Sequence, residues 1–297
     1  MSRVVTCILN ESAGSHRAAE ARRLITRIAA EQGGTAHIIL STDGSTLSML
    51  AGQALADGAL LAAGGGDGTV GTVAAALVDT NVALGVLPMG TRNHFAKDLG
   101  IPLGLEAAVR TLFTGRIDSV DVAEVNGRVF VNNSSIGIYP QIARERSLER
   151  HRGGRGWSAL ARAAARLLRR SPMLHVDLDV DQGQWLSTET SLVFVGNNRY
   201  SIEGLFLGSR ASLRSGSLWI FVAPGSNRFT LLGLALRGLM GRVHDSDLAT
   251  FDGVQASVRM HRAFVEVATD GEVNLMPTPL HYRIRPAALR VVVPQAS

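Results

Sequence analysis

Residues 64–69 read Gly64-Gly65-Gly66-Asp67-Gly68-Thr69, a glycine run broken by one carboxylate and closed by a hydroxyl. Consecutive glycines let the backbone turn sharply and approach a ligand closely. An apolar strand pattern at 59–63 precedes the run, and a helical pattern at 70–78 follows it. Loop N–H groups and the start of a helix then favour an anion such as phosphate. A carboxylate beside phosphate is repelled unless a cation joins them, so Asp67 is a candidate Mg²⁺ ligand and catalytic carboxylate. Gly65, Gly66, Gly68 and Thr69 are the candidate phosphate contacts. The alternative for such a string is a tight strand-to-helix turn with Asp67 as a cap. The run does not match Gly-x-x-x-x-Gly-Lys-[Ser/Thr], and it fails Gly-x-Gly-x-x-Gly in a dinucleotide context; the single lysine, Lys97, lies elsewhere.

A second run of the same kind is Pro88-Met89-Gly90-Thr91-Arg92-Asn93, which follows a strand pattern at 83–87 and leads into a helix start. In a parallel sheet both runs fall at the carboxyl ends of strands, where ligands bind. Asp270-Gly271-Glu272 follows a third strand pattern at 264–269. Asp-Gly is an ordinary hairpin signal, and on pattern alone the hairpin is the stronger reading.

The elements that must carry these runs are legible in the apolar periodicity. Strands are predicted at 3–9, 36–40, 59–63 and 83–87, with helices at 16–32, 46–56 and 70–78 between them. Such alternation argues for a parallel sheet covered on both faces. From about residue 121 short alternating runs separated by Gly, Asn and Pro take over, the pattern of an antiparallel sandwich. The expected organisation is therefore an α/β domain over 1–120 and a β-rich sandwich domain over 121–297, with a return of the final segment to the first domain left open. A length of 297 residues suits two domains. The chain is 46% hydrophobic and 19% charged, with net charge +5. A basic balance favours anionic partners: nucleotides, phospholipid headgroups or nucleic acid. One cysteine, Cys7, excludes an intrachain disulfide and a cysteine zinc cage. No signal-peptide pattern is seen, and no apolar stretch approaches the ~20 residues that span a bilayer. Membrane contact is expected to be peripheral.

Taken together the motifs resemble the diacylglycerol kinase catalytic family, which also holds sphingosine kinases, ceramide kinases and bacterial lipid kinases. Gly65-Gly66-Asp67-Gly68-Thr69 is similar to its hallmark, and Pro88 to Asn93 with Phe95-Ala96 to its second element. Asn10 to Gly14 resembles its N-terminal loop, with Glu11 in place of Pro. Asp270-Gly271-Glu272, followed by Pro286 to Leu289, resembles its acidic turn and closing strands. The resemblance covers nearly the whole chain. It implies a first domain like those of NAD kinases and phosphofructokinases, and an ATP- and Mg²⁺-dependent kinase that phosphorylates a hydroxyl of a diacylglycerol-like or sphingoid lipid. Asn10, Thr42 or Ser41, Gly65, Gly66, Gly68, Thr69, Gly90, Thr91 and Asn93 fall where it holds ATP. Asp270 or Glu272 falls where a base would accept the hydroxyl's proton, expected across from the glycine run. Asp121 matches a further acidic position, whose alternative is a strand-edge carboxylate paired with Arg.

The chain departs from the family at several positions. Gly71 and Thr72 stand where the family often has Asn and Glu, and His94 where it often has Asp. Some bacterial members bind a structural Mg²⁺ at an Asp-Gly turn, where this chain has Ser215-Gly216; a hydroxyl is a poor substitute for that carboxylate. Other readings are an NAD kinase-like enzyme and a catalytically impaired lipid- or nucleotide-binding protein. A stripe of Trp157, Leu160, Ala161, Ala164, Leu167 and Leu168 opposite Arg162, Arg166, Arg169 and Arg170 fits either a surface helix or contact with an anionic membrane. The expectation is a cytoplasmic protein, peripheral at the inner membrane surface, with a lipid substrate and no nucleic acid partner. Nothing in the sequence specifies an oligomeric state.

Overall fold

The structure is a computed structural model and describes residues 3–11, 15–42, 44–54, 60–137, 173–203, 206–223 and 249–295. Its chain divides into two compact units. The first is Met1–Val122 with Ser212–Ser215 and Arg285–Ser297, and the second is Ala123–Ala211 with Gly216–Ile284.

The first unit opens with β1 (Val4–Asn10), α1 (Ser15–Glu31), β2 (Thr35–Ser41), α2 (Gly44–Ala54), β3 (Leu60–Gly65), α3 (Asp67–Leu77), β4 (Leu84–Pro88), α4 (His94–Asp98) and α5 (Leu105–Thr114). The strands pair in parallel in the order β2-β1-β3-β4. Every residue of β3 and β4 is buried, as expected of parallel strands with helices packed over the sheet. α1 packs with α5, and α2 with α3. The register sets Asn10 opposite Ser41, Leu9 opposite Gly64 and Gly65 opposite Pro88. The carboxyl ends of all four strands therefore meet along one edge, and both glycine runs leave from it.

α3 starts at Asp67, three residues before the predicted start at 70. Gly66 is its N-cap, and Asp67 sits in its first turn, where a carboxylate complements the positive end of the helix. The low helix propensity of Gly68 hid this start from the pattern.

The remaining strands are β5 (Arg116–Val125), β6 (Arg128–Phe130), β7 (Asn133–Gly137), β8 (Leu174–Val180), β9 (Gln184–Thr190), β10 (Leu192–Asn197), β11 (Tyr200–Glu203), β12 (Phe206–Arg210), β13 (Leu218–Val222), β14 (Ala249–Gly253), β15 (Gln255–Met260), β16 (Phe264–Thr269), β17 (Glu272–Pro277) and β18 (Leu280–Val293). In the second unit one sheet runs β14-β13-β10-β7-β16-β17, all antiparallel. The first half of β18 joins β15, β8 and β9 in another sheet. β8 alternates buried and less buried residues along its length. Its Val176, Leu178 and Val180 share a core with Val193, Val195, Ile220, Val267 and Tyr282. This is a β-sandwich. The end of β18 belongs to the first unit, where Val291 pairs with Leu84 of β4 in parallel.

Residues 128–137 form two strands. β6 stops at Phe130 and β7 starts at Asn133, because the N–H groups between them turn to a carboxylate, described below. β7 carries Asn and Ser in place of an apolar alternation, which is why periodicity passed over it. Ser134 and Ser135 are fully buried all the same.

Candidate active site

In the first unit the two glycine runs interlock. Gly65 offers its carbonyl to the N–H groups of Met89 (3.0 Å) and Gly90 (3.1 Å). Gly90 N–H also donates to Asn93 Oδ1 at 2.9 Å, and Asn93 Nδ2 returns a bond to the Gly90 carbonyl at 2.9 Å. Asn93 holds a left-handed backbone, φ 52°, which Asn tolerates better than most residues. Asp67 Oδ1 accepts the Phe95 N–H at 3.3 Å, tying the first turn of α3 to α4. Asn10, buried at the end of β1, donates through Nδ2 to Thr69 Oγ1 at 2.9 Å. A side chain on Gly65 would strike Thr69, its Cβ lying 2.5 Å from the Thr69 Cβ. The Gly66 N-cap supplies no side-chain hydrogen bond to α3. The first-turn N–H groups of α3 are therefore left without a side-chain cap, an arrangement suited to an anion.

The structure thus brings Asn10, Gly65, Gly66, Asp67, Thr69, Gly90 and Asn93 to one edge of one sheet. Gly68 lies in the first turn of α3, where its carbonyl accepts the Thr72 hydroxyl at 3.0 Å. Thr91 is exposed on the second loop, and Thr42 is exposed one residue past β2. Ser41, the other choice at that position, is buried with its hydroxyl 3.0 Å from that of Thr46. The Asn93 amide, expected to contact cofactor, spends both of its groups on Gly90. Sequence reasoning missed Arg17, whose guanidinium bonds the carbonyls of Met89 (3.0 Å) and Gly90 (3.2 Å) from the first turn of α1. No sequence signal marks it beyond its place after the N-terminal loop.

In the second unit, Asp270 (φ 50°) and Gly271 (φ 89°) form a two-residue turn between β16 and β17, as the Asp-Gly signal implies. The Asp270 carboxylate turns inward. Its Oδ2 accepts the Val131 N–H at 2.8 Å, and Oδ1 accepts those of Asn132 (2.8 Å) and Asn133 (3.2 Å). Burial pushes this carboxyl up to about 6, although the three N–H groups and the charge of Arg210 pull the other way. Desolvation thus outweighs the bonds to the charged form. Glu272 differs. Its side chain is 50% exposed, and Oε2 pairs with Arg128 at 2.7 Å. Arg128 also bonds the Thr269 hydroxyl at 3.0 Å.

Asp121 is buried in β5. Its N–H donates to the Leu213 carbonyl at 2.8 Å, and Oδ1 accepts the Ala287 N–H at 2.9 Å. Next to it Arg214 pairs with Asp118. Residues 212–215, where relatives were expected to bind a structural metal, are therefore held by protein groups. Among the described residues no cluster of three or more His, Cys, Asp or Glu is placed to hold a metal ion. The Arg-rich stripe at 157–170 lies outside the described residues. Among those described, no helix is long and apolar enough to cross a membrane.

Comparison with known proteins gives a consistent result. Residues 4–125 match the diacylglycerol kinase catalytic domain, and residues 143–293 match the YegS C-terminal NAD kinase beta sandwich-like domain. The chain is 31% identical over 259 residues to a protein named probable lipid kinase YegS-like from Pseudomonas aeruginosa, covering 82% of this chain and 80% of that one. It is 29% identical over 246 residues to a probable lipid kinase YegS from Escherichia fergusonii, covering 80% of this chain and 78% of the relative. A solved diacylglycerol kinase from Bacillus anthracis str. Sterne shares the fold with a TM-score of 0.73 at 20% identity, covering 99% of this chain and 97% of that one. The chain belongs to the YegS-like, diacylglycerol kinase-type family of lipid kinases.

Proposed function

We propose that this protein transfers the terminal phosphoryl group of ATP, with Mg²⁺, to a hydroxyl of a diacylglycerol-like or sphingoid lipid. The observation that carries the reading is the interlocked pair of glycine runs at the carboxyl edge of a parallel sheet, with an uncapped helix start and one carboxylate beside it. The residues fit the group they would hold. Gly65, Gly66, Gly68 and Thr69 surround the phosphate position at the start of α3, with Asn10, Thr42, Gly90 and Thr91 around it. When bound, ATP would supply the phosphoryl group, and Asp67 would hold the Mg²⁺ that offsets its charge.

The two acidic residues of the β16–β17 turn take different parts. Asp270 has both oxygens engaged by three backbone N–H groups, so it anchors the turn. Glu272 is half exposed, with only Oε2 bonded to Arg128 among the described residues. We assign it as the base that would take the acceptor hydroxyl's proton. Arg128 orients it.

The test is a radiolabelled-ATP assay on total lipid extract, with the labelled product identified. One labelled lipid phosphate formed only with Mg²⁺ supports the reading. ATP binding without any labelled lipid would favour an impaired nucleotide-binding protein instead.

A further inference from the structure

Arg210, at the end of β12, is 5% exposed. Burying a guanidinium is costly unless its N–H groups are satisfied, and here the partners form a pattern. One terminal nitrogen donates to the carbonyls of Val131 (2.7 Å) and Asn197 (2.9 Å); the other donates to Asn132 Oδ1 at 3.0 Å. The Val131, Asn132 and Asn133 N–H groups meanwhile donate to Asp270. Residues 131–133 thus give N–H groups to the Asp270 carboxylate, while the Val131 carbonyl and the Asn132 side chain serve the buried Arg210 guanidinium. The peptide groups between the two are polarised by both, which strengthens each bond. Arg210 is further fixed by the Tyr200 ring, 5.2 Å from its guanidinium carbon.

We infer that Arg210 is a positioning residue for phosphoryl transfer: through residues 131–133 it holds Asp270 in place, and so fixes the turn that presents Glu272. This rests on the lipid kinase reading above. Among the described residues, Arg128, which is paired with Glu272, and Tyr282, whose hydroxyl lies 3.2 Å from that of Ser134, also stand by the turn. Neither hydrogen-bonds the Asp270 carboxylate. The charge of Arg210, by contrast, acts on Asp270 directly.

Two variants test the link. Arg210→Lys keeps a cation but loses the fork, and Asn132→Ala removes one bond while leaving the buried charge and the backbone intact. Both should lower kcat by about tenfold or more, leave KM for ATP within about twofold, and raise the Asp270 titration midpoint seen by carboxyl-carbon NMR. A folded Asn132→Ala variant with wild-type kcat would overturn the positioning role. A lowered kcat with an unmoved Asp270 midpoint would also overturn it, leaving Arg210 a packing residue. Should the wild type phosphorylate no lipid hydroxyl, with dioleoylglycerol in mixed micelles as the probe, the function reading fails. The NMR midpoint then still decides whether Arg210 governs Asp270.

Discussion

Gly66 and Gly90 meet backbone to backbone: a methyl group on Gly90 would lie 2.5 Å from the Gly66 Cα, whereas one on Gly66 would lie 3.6 Å from the Gly90 Cα. The asymmetry separates packing from ligand approach. Gly90→Ala must push the loops apart and should destabilise by about 1–3 kcal/mol, the usual cost of overpacking. Gly66→Ala should melt near the wild-type temperature yet bind ATP more weakly, because on the proposed reading the added methyl would crowd the phosphates at the start of α3. Paired thermal melts and ATP calorimetry check this. Unchanged ATP affinity in Gly66→Ala would remove the phosphate role from the loop.

Asp67→Asn should leave the fold intact, since among the described residues Asp67 makes only a long 3.3 Å bond to Phe95 N–H and an amide oxygen can keep it. Turnover should fall on the order of 10²-fold, comparable to losing one preorganised electrostatic contact. Raising Mg²⁺ should recover part of that loss if the carboxylate binds the metal. Full activity at ordinary Mg²⁺ would exclude it as a ligand.

Glu272→Gln should lower kcat by about 10²–10⁴-fold, the range for a general base, with ATP affinity unchanged. Arg128→Met should have a smaller effect, because on the proposed reading Arg128 acts through Glu272 and takes no proton itself. A larger loss in Asp270→Asn than in Glu272→Gln, with both variants fully folded, would reverse the roles assigned to the two carboxylates.

Asp270 also makes stability depend on pH. Its carboxyl holds a proton up to about pH 6 in the folded chain, while an unfolded Asp releases it near pH 4. The folded state therefore binds the extra proton between these values, and its stabilising contribution is present at the acid end and lost as pH rises to about 6. Relative to Asp270→Asn, the wild type should lose melting temperature over that interval and run parallel to it above. Parallel curves throughout would mean that Asp270 is not shifted.

Chelation gives a further test. With residues 212–215 tied by Leu213 to Asp121 and by Arg214 to Asp118, EDTA should abolish turnover but leave the melting temperature unchanged. A clear fall in melting temperature would reveal a structural cation.

Much of this was legible in the sequence where chemistry is written locally. The apolar strands β1, β3 and β4 and the glycine runs after the latter two could be read because buried parallel strands have continuous apolar runs and sharp turns need glycine. β7 could not, since its Asn133, Ser134 and Ser135 break the alternation, and their burial depends on strands β10 and β16, far away in the chain. The same applies to Arg17 and Arg210. Each is an ordinary arginine in sequence, and its meaning lies in carbonyls it reaches across tens of residues. The different surroundings of Asp270 and Glu272 also needed coordinates, because one carboxylate accepts the N–H groups of residues 131–133 and the other is half exposed beside Arg128, and nothing in Asp-Gly-Glu specifies which.

The return of β18 to β4 bears on how the protein is made. Arg290 bonds the carbonyl of Asn81, 209 residues earlier, and Val291 pairs with Leu84. While the chain is still emerging from the ribosome, β4 must wait with an unpaired edge until residues 285–293 are synthesised. Such long-range closure slows folding and leaves an adhesive strand exposed in the interval. A fragment ending near residue 122 should consequently aggregate on expression, and supplying residues 285–297 as a separate peptide should restore its solubility.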